Sequence, residues 1–316
     1  MGQQPQSSIP RHTLSHVAML YYREGLTQGE IARRVGLSRA TVVNYLRLAR
    51  ETGIVDIRIN GDSFADSRLA RDLAARWGLE AAFVAHADEA ESGAMLATLA
   101  QMAALAVHDL LAPGARLGVA WGETVQRVAH ALAIRPVVDL AVHQLVGSMY
   151  DTQLQAAENC TVEIARKCGA DCRTLHAPAI LSSADLAAAL RAEPIIARQL
   201  ARFDDLSHAL FSVGDVGQST TIVTSGIASA DEVARYAADG ARAVLCGHFI
   251  DDTGNVMETP LSARMIGITP AQLSRVPVRL LVAGGDEKVA PLRALLHGGY
   301  ASHLLVDEKT AAALLD

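Results

Sequence analysis

The chain of 316 residues is poor in aromatics, which make up 4% of it, and it holds four cysteines and only three lysines, Lys167, Lys288 and Lys309. It lacks an apolar run that could cross a bilayer, which takes about 20 residues. Its most apolar stretch, Met95 to Val107, is interrupted by Thr98 and Gln101 and closed by His108 and Asp109, so no membrane partner is expected. The opening MGQQPQSSIPRHTL lacks the basic-then-apolar order of a secretory signal. Gln6 stands where a myristoylation motif has Ser or Thr. These absences point to the cytoplasm. No pair among Cys160, Cys168, Cys172 and Cys246 has the spacing of a zinc knuckle. Cys168 and Cys172 could face one way on a helix, with His176 beyond, but a metal site needs three or four converging ligands. Buried thiols in a reducing compartment are expected, with no metal and no cofactor. A Ser-His-Asp order, a nucleophile elbow and a dinucleotide fingerprint are also missing.

Charge is unevenly spread. Residues 1–60 hold eight arginines against four acids, a net of +4, whereas the rest carries a net of −10. A basic head on an acidic body suggests that the head alone meets a polyanion. Within that head, LTQGEIARRVGLSRATVVNYLRLARETG (residues 26 to 53) carries two helix signatures. Thr27 and Glu30 form a capping box, Gly36 supplies a tight turn, Ser38 caps a second helix running to about Glu51, and Gly53 ends it. Two helices joined by a short Gly-containing turn make a helix-turn-helix. Ile31, Val35, Leu37, Val42 and Tyr45 or Leu46 are spaced to pack them together, and Leu14, Val17, Ala18, Leu20 and Tyr21 give a preceding helix for a three-helix core. IVDIRIN then alternates like the strand of a winged variant. The second helix leaves Ser38, Arg39, Ala40, Thr41, Val43, Asn44 and Arg47 exposed. Arg and Asn can read guanine and adenine edges in the major groove. Thr27, Arg33, Arg34 and Arg50 suit phosphates, which set position and not sequence. Double-stranded operator DNA is the expected partner.

From about residue 61 to 316, short β-rich runs alternate with helical patterns, which predicts a mostly parallel sheet covered by helices. Expected strands cover 82–85, 117–120, 138–145, 173–177, 208–213, 243–246, 278–283 and 303–306. Such sheets bind ligands at the carboxyl ends of their strands. Three exits there carry glycine: Gly122-Glu123-Thr124, then Gly214, Asp215 and Gly217, then Gly284-Gly285 with Lys288 in the following helix. Free N–H groups at a helix start favour anions. A lysine in a first turn opposes the helix dipole, so Lys288 needs another reason, and an anionic ligand would supply one. Trp121 could line the pocket or fill the core. His143, His176, His208, His248 and His303 lie on or near apolar strands and read as core or pocket-wall groups.

The head segment, with VAWGETV, FSVGDVG, CGHFIDDTGNV and VPVRLLVAGGDEKVAPLRALLHGGYASHLLVDEKTAAALL, resembles the SorC family of sugar-responsive bacterial regulators over nearly the whole chain. The resemblance implies a helix-turn-helix domain at 1–60, an effector domain at 61–316 related to sugar-phosphate isomerases and deaminases, a sugar, polyol or sugar-phosphate effector, and self-association as dimers or tetramers. Carried over by position, Gly122, Glu123 and Thr124 fall on a loop holding ligand oxygens. Gly147 and Ser148 fall on a second, with Gln155 and Asn159 on the helix after it. Asp251 falls where a sugar hydroxyl is bound, and Gly284, Gly285 and Lys288 on the phosphate loop. Glu123 departs from the hydroxyl-rich first loop of phosphate-binding members. A carboxylate repels phosphate and accepts from hydroxyls, which favours an unphosphorylated ligand or a phosphate held only at Lys288. The expectation is a non-enzymatic transcription regulator. The alternative is a sugar-phosphate isomerase-like or deaminase-like enzyme with a DNA-binding head, for which fold kinship alone is no evidence.

Overall fold

A computed structural model describes residues 10–55, 67–86, 93–149, 157–217 and 220–316. The chain divides into two compact units, Met1–Asn60 and Gly61–Asp316. In the first, α1 (Arg11–Tyr22), α2 (Gln28–Val35) and α3 (Arg39–Glu51) enclose a small core of Val17, Leu20, Ile31, Ala32, Val42 and Leu46. Leu14, Ala18 and Ala49 extend it under Ile54 and Val55. The Thr27–Glu30 capping box is present in both directions, and Gly36 ends α2 in the left-handed conformation at φ 69°. Ser38 caps α3 by accepting from the Thr41 N–H at 3.0 Å. The wing strand expected over IVDIRIN lies outside the described residues beyond Val55; Ile54 and Val55 both donate their N–H to the Ala49 carbonyl and form no strand.

The larger unit opens with α4 (Arg68–Trp77) and builds a seven-stranded parallel sheet in the order β1-β9-β8-β5-β2-β3-β4. Its strands are β1 (Ala81–Ala85), β2 (Arg116–Val119), β3 (Ala141–Gln144), β4 (Asp171–Arg173), β5 (His208–Phe211), β8 (Val278–Val282) and β9 (His303–Asp307). Most are short hydrophobic runs buried on both faces, as parallel strands under helices must be. Leu210, Leu280, Val282 and Leu305 face one core, with α5 (Ala94–Leu110), α6 (Glu123–Ala131) and α7 (Ala157–Cys168). Phe211, Leu281, Leu304 and Val306 face the other, with α4, α11 (Ala230–Ala238), α13 (Val289–His297) and α14 (Glu308–Leu315). The helices α8 (Ala184–Ala192), α9 (Pro194–Ala201), α10 (Thr221–Thr224) and α12 (Pro270–Leu273) complete the covering.

Three expected strands are shifted or reassigned. Strand β3 starts at Ala141 because Asp139 turns the chain at φ 53°, and β4 ends at Arg173. The run near 243–246 leaves the parallel sheet: β6 (Ala241–Leu245) pairs antiparallel with β7 (His248–Asp251) through Cys246 and Gly247, both at positive φ. Two such residues make the tight turn whose twist suits a hairpin. Three of the four cysteines are buried, but Cys172 is exposed on the edge strand β4. Cys168 ends α7, so the two do not share a helix face. Among the described residues no helix is long and apolar enough to cross a membrane, and no cluster of three metal-ligating side chains forms.

Removing the α3 cap with Ser38→Ala is expected to cost the head about 1 kcal/mol. Hydrogen exchange at the Thr41 amide should accelerate accordingly; an unchanged rate would show that the cap contributes nothing.

Candidate functional site

Strands β8, β5 and β2 are neighbours, and each leaves the sheet through a glycine. Gly122 precedes α6 at φ 111° and ψ 167°, and Gly285 takes nearly the same conformation, φ 107° and ψ 152°, after β8. A side chain is strained there. Gly284 has no room for one, since a Cβ would lie 2.5 Å from both Asp307 Oδ2 and Leu99 Cδ1. The Gly285 N–H donates to Asp307 Oδ2 at 2.9 Å and to Thr310 Oγ1 at 3.0 Å, which fixes the loop to the start of α14. Gly214 exchanges both backbone hydrogen bonds with Val244 of β6.

These exits close on a cavity of about 180 Å³ lined by Trp121, Gly122, Glu123, Thr124, Ser212, Gly214, Thr220, Thr221, Gly284, Glu287 and Lys288, among others. Among the described residues no side chain caps α6, so its first N–H groups offer donors to a ligand. The Thr220 hydroxyl is buried, and its Oγ1 has no hydrogen-bond partner among the described residues. Trp121 both lines the cavity and packs on the core.

Lys288 does not wait for an anionic ligand, contrary to the expectation from its place in the helix. Its Nζ donates to Asp215 Oδ2 at 2.7 Å. Asp215 Oδ1 accepts the Gly217 N–H at 2.9 Å. Burial pushes the Asp215 carboxyl up, but the bonds from Lys288 and Gly217 and the ammonium charge outweigh it and hold the group below its ordinary value. Glu123 is half-exposed at the mouth, and its Oε1 accepts from Arg127 Nε at 3.0 Å and Nη2 at 2.6 Å. Among the described residues the charged lining is Glu123, Glu287 and Lys288.

In the head, Ser38, Arg39, Asn44 and Arg47 are exposed along α3, with Thr41 half-buried and Val43 45% exposed between them. The polar groups hold one another lightly. Arg47 donates to Asn44 Oδ1 at 2.8 Å and Arg39 Nε to Gln28 Oε1 at 3.4 Å. Arg34 pairs with Glu24 at 3.2 Å, and Arg33 is exposed on the same helix, α2. Exposed pairs of this kind are worth about 0–1 kcal/mol, so they exchange readily for phosphates or bases.

Residues 62–316 match the family model described as "Putative sugar-binding domain", and residues 16–75 match the ParB helix-turn-helix domain. The chain belongs to the SorC family of sugar-binding transcriptional regulators. It is similar to the transcriptional regulator YjhU of Escherichia coli, 32% identical over 95% of this chain and 93% of that one. It is 29% identical to the deoxyribonucleoside regulator of Bacillus subtilis over 95% and 96% of the two chains. The full-length sorbitol operon regulator SorC of Klebsiella pneumoniae superposes with a TM-score of 0.81 at 26% identity, covering 98% of this chain and all of that one. These relatives are named as regulators, and the chain is a DNA-binding transcriptional regulator.

Not every position carried over from the SorC pattern lines the cavity. Gly147 and Ser148 stitch the exit of β3 to two other segments: Gly147 N–H donates to the Ile266 carbonyl at 3.0 Å and Ser148 N–H to that of Ala177 at 2.8 Å. A Cβ on Gly147 would lie 2.6 Å from Ala177 O. Asn159 is exposed on α7, and Gln155 lies outside the described residues. Asp251 builds the turn after β7. Its Oδ1 accepts the N–H groups of Thr253 and Asn255 and the Thr253 hydroxyl, at 2.8 to 3.0 Å. Ser212, Thr220, Thr221 and Glu287 line the cavity without having been singled out from sequence. The consecutive threonines after the second glycine loop were the available signal.

Because the Asp215 carboxyl is held low, it stabilises the fold above the unfolded value of about 3.9 and loses that contribution as pH falls through its lower folded value. Lys288→Gln should lower stability at neutral pH and flatten the loss below about pH 4. Urea unfolding of both proteins across the acid range measures this, and parallel stability curves would sink the assignment.

Proposed function

We propose that residues 61–316 bind a neutral polyhydroxylated effector, a sugar or polyol, in the cavity under the three glycine loops, and that this binding sets the affinity of residues 1–60 for operator DNA. The observation that carries this is the convergence of the α6 start, the Thr220 hydroxyl and Lys288 on one cavity. Among the described residues two carboxylates and one ammonium line it, and that ammonium already has Asp215. Hydroxyls can donate to Glu123 and Glu287 and accept from Thr220, whereas a phosphate would be repelled except beside Lys288. Gly122, Glu123, Thr124, Gly284, Gly285 and Lys288 are the contacts assigned to it, and the family resemblance alone extends the assignment to Gly147, Ser148, Gln155, Asn159 and Asp251. Relatives named for a sorbitol operon and for deoxyribonucleosides support a hydroxyl-rich ligand.

In the head, Arg39 and Asn44 are assigned to base edges, with Ser38, Thr41 and Arg47 beside them, and Thr27, Arg33 and Arg34 to phosphates. One helix-turn-helix is too small to select a site alone, so the working form is a dimer or tetramer reading paired half-sites. Ile134 and Val138, 72% and 68% exposed on a loop hydrogen-bonded to the end of α7, give the larger unit apolar surface for self-association.

A thermal-shift screen of sugars, polyols and their phosphates tests the effector, because a ligand of the native state stabilises it by mass action. One strong neutral stabiliser is expected, weakened about tenfold or more by Lys288→Gln, a loss of about 1.4 kcal/mol. A phosphate ester binding far more tightly than its parent sugar would refute the neutral-ligand assignment. On DNA, Arg39→Ala and Asn44→Ala should each cost about 1–3 kcal/mol at particular base pairs, whereas Arg34→Ala should weaken all sequences and reduce the salt slope by about one. Equal losses on operator and random DNA for Arg39→Ala would remove it from the base readers.

A further inference from the structure

A second cavity, of about 220 Å³, lies between β3, β4, α9 and the turn Arg202–Asp205, and it shares no residue with the effector cavity. Its rim carries three guanidinium groups, Arg173, Arg198 and Arg202. Arg173 donates one N–H to Asp171 at 2.6 Å and Arg198 its Nε–H to the Pro194 carbonyl at 3.1 Å, while the Arg202 side chain has no hydrogen bond or ion pair among the described residues. On its inner wall His143 is 4% exposed, and its Nε2 has no hydrogen-bond partner among the described residues. The neighbouring glutamines are already satisfied. Gln144 bonds the Val146 carbonyl and the Leu175 N–H, and Gln199 bonds the Thr174 carbonyl and the His176 N–H.

The His143 ring feels the positive charge gathered at this cleft. Burial comes first, then the charges of Arg202, Arg173 and Arg116, outweighing Asp205; together they push the His143 ring down to about 4, so it is neutral at pH 7. The guanidinium groups offer only donors. Three cationic donors around one cleft match an acceptor-only, multiply charged group. Guanidinium forks pair with phosphate or carboxylate through two parallel bonds. A tetrahedral phosphate has enough oxygens to meet donors on several sides at once, and the cavity has room for a small organic body beyond it.

We infer that this cleft is a second ligand site, separate from the glycine-loop cavity, that takes the phosphate group of a small metabolite between Arg173, Arg198 and Arg202, against the wall that His143 forms. It gives an otherwise acidic domain a local anion receptor, so a phosphorylated compound can act on this regulator independently of the neutral effector.

Titration of the full chain with inorganic phosphate tests this, followed through the ring carbon–proton resonances of His143 at constant ionic strength in chloride. The His143→Gln variant assigns those resonances. A saturable shift of His143 is expected. It should weaken about tenfold or more in the Arg198→Ala/Arg202→Ala double variant, whose exposed substitutions leave the thermal unfolding midpoint in place, and persist in Lys288→Gln. A His143 resonance indifferent to phosphate, a shift that survives in the double variant, or one abolished by Lys288→Gln would each overturn the proposal. Malonate, run in parallel, distinguishes the ligand chemistry: tighter binding of malonate than of phosphate would overturn the phosphate assignment. None of these outcomes bears on the neutral-effector reading, which thermal shift tests separately.

Discussion

Between β2 and β5 the connections of the sheet part company, and the cavity proposed for the effector depends on that divergence. From β2 the chain runs outward through α6 to β3 and β4; from β5 it runs the other way to β8 and β9. Crossovers between parallel strands are right-handed. Connections running in opposite directions must therefore place their helices on opposite faces. Accordingly Val125 and Val128 of α6 enter one core, and Val233 and Tyr236 of α11 enter the other. A crevice opens at the carboxyl ends of the two strands where the covering layers separate. Such switch points are where open α/β sheets bind ligands. Gly122 and Gly214 stand at the two sides of this one, and Gly284 stands at the next exit.

The crevice would be a plain gap without the Asp307 clamp. Its carboxylate holds the Gly285 N–H and caps α14 through the Thr310 N–H at 2.9 Å. That fixes the β8 exit, and Lys288, three residues on, then reaches Asp215 in the loop after β5. The loop is in turn paired through Gly214 to Val244 of the hairpin. One ion pair thus ties two strand exits and the β6–β7 hairpin together across the cavity mouth. It is partly exposed, with about a quarter of each side chain open to solvent, so it exchanges partners more cheaply than a fully desolvated pair.

Much of this was legible in sequence because it was local. Capping boxes, turn glycines and apolar spacing are written within a few residues, and the head followed them closely: Thr27, Gly36 and Ser38 act as their spacing predicts. The alternation of strands and helices gave the larger fold for the same reason, and the glycine exits marked the cavity. What spacing could not carry is distance through space. Nothing near Lys288 in sequence names Asp215, 73 residues earlier, as its partner. Asp251 looked available because its acceptance of Thr253 and Asn255 is a turn property invisible in residue type. The hairpin was missed because β6 is as apolar as a parallel strand, and only the backbone of Cys246 and Gly247 reveals the reversal.

Ligand control of a DNA-binding head requires little energy. Coupling between two sites runs at about 1–3 kcal/mol and acts equally in both directions. Exchange of partners at Lys288 is one place where such a coupling can enter. A ligand oxygen taking the ammonium leaves Asp215 with the Gly217 N–H, in a half-buried place where burial disfavours its charge. The loop holding Gly214 then has reason to move, and the hairpin paired to it through Val244 moves or strains with it. A hydroxyl ligand that leaves the Lys288–Asp215 pair intact acts differently, by filling the cavity and satisfying Thr220, which stiffens the same exits without parting them. On the proposed reading, the two ligand classes would push the β5 exit in different ways, and what separates them is whether the ligand competes with Asp215 for a single ammonium.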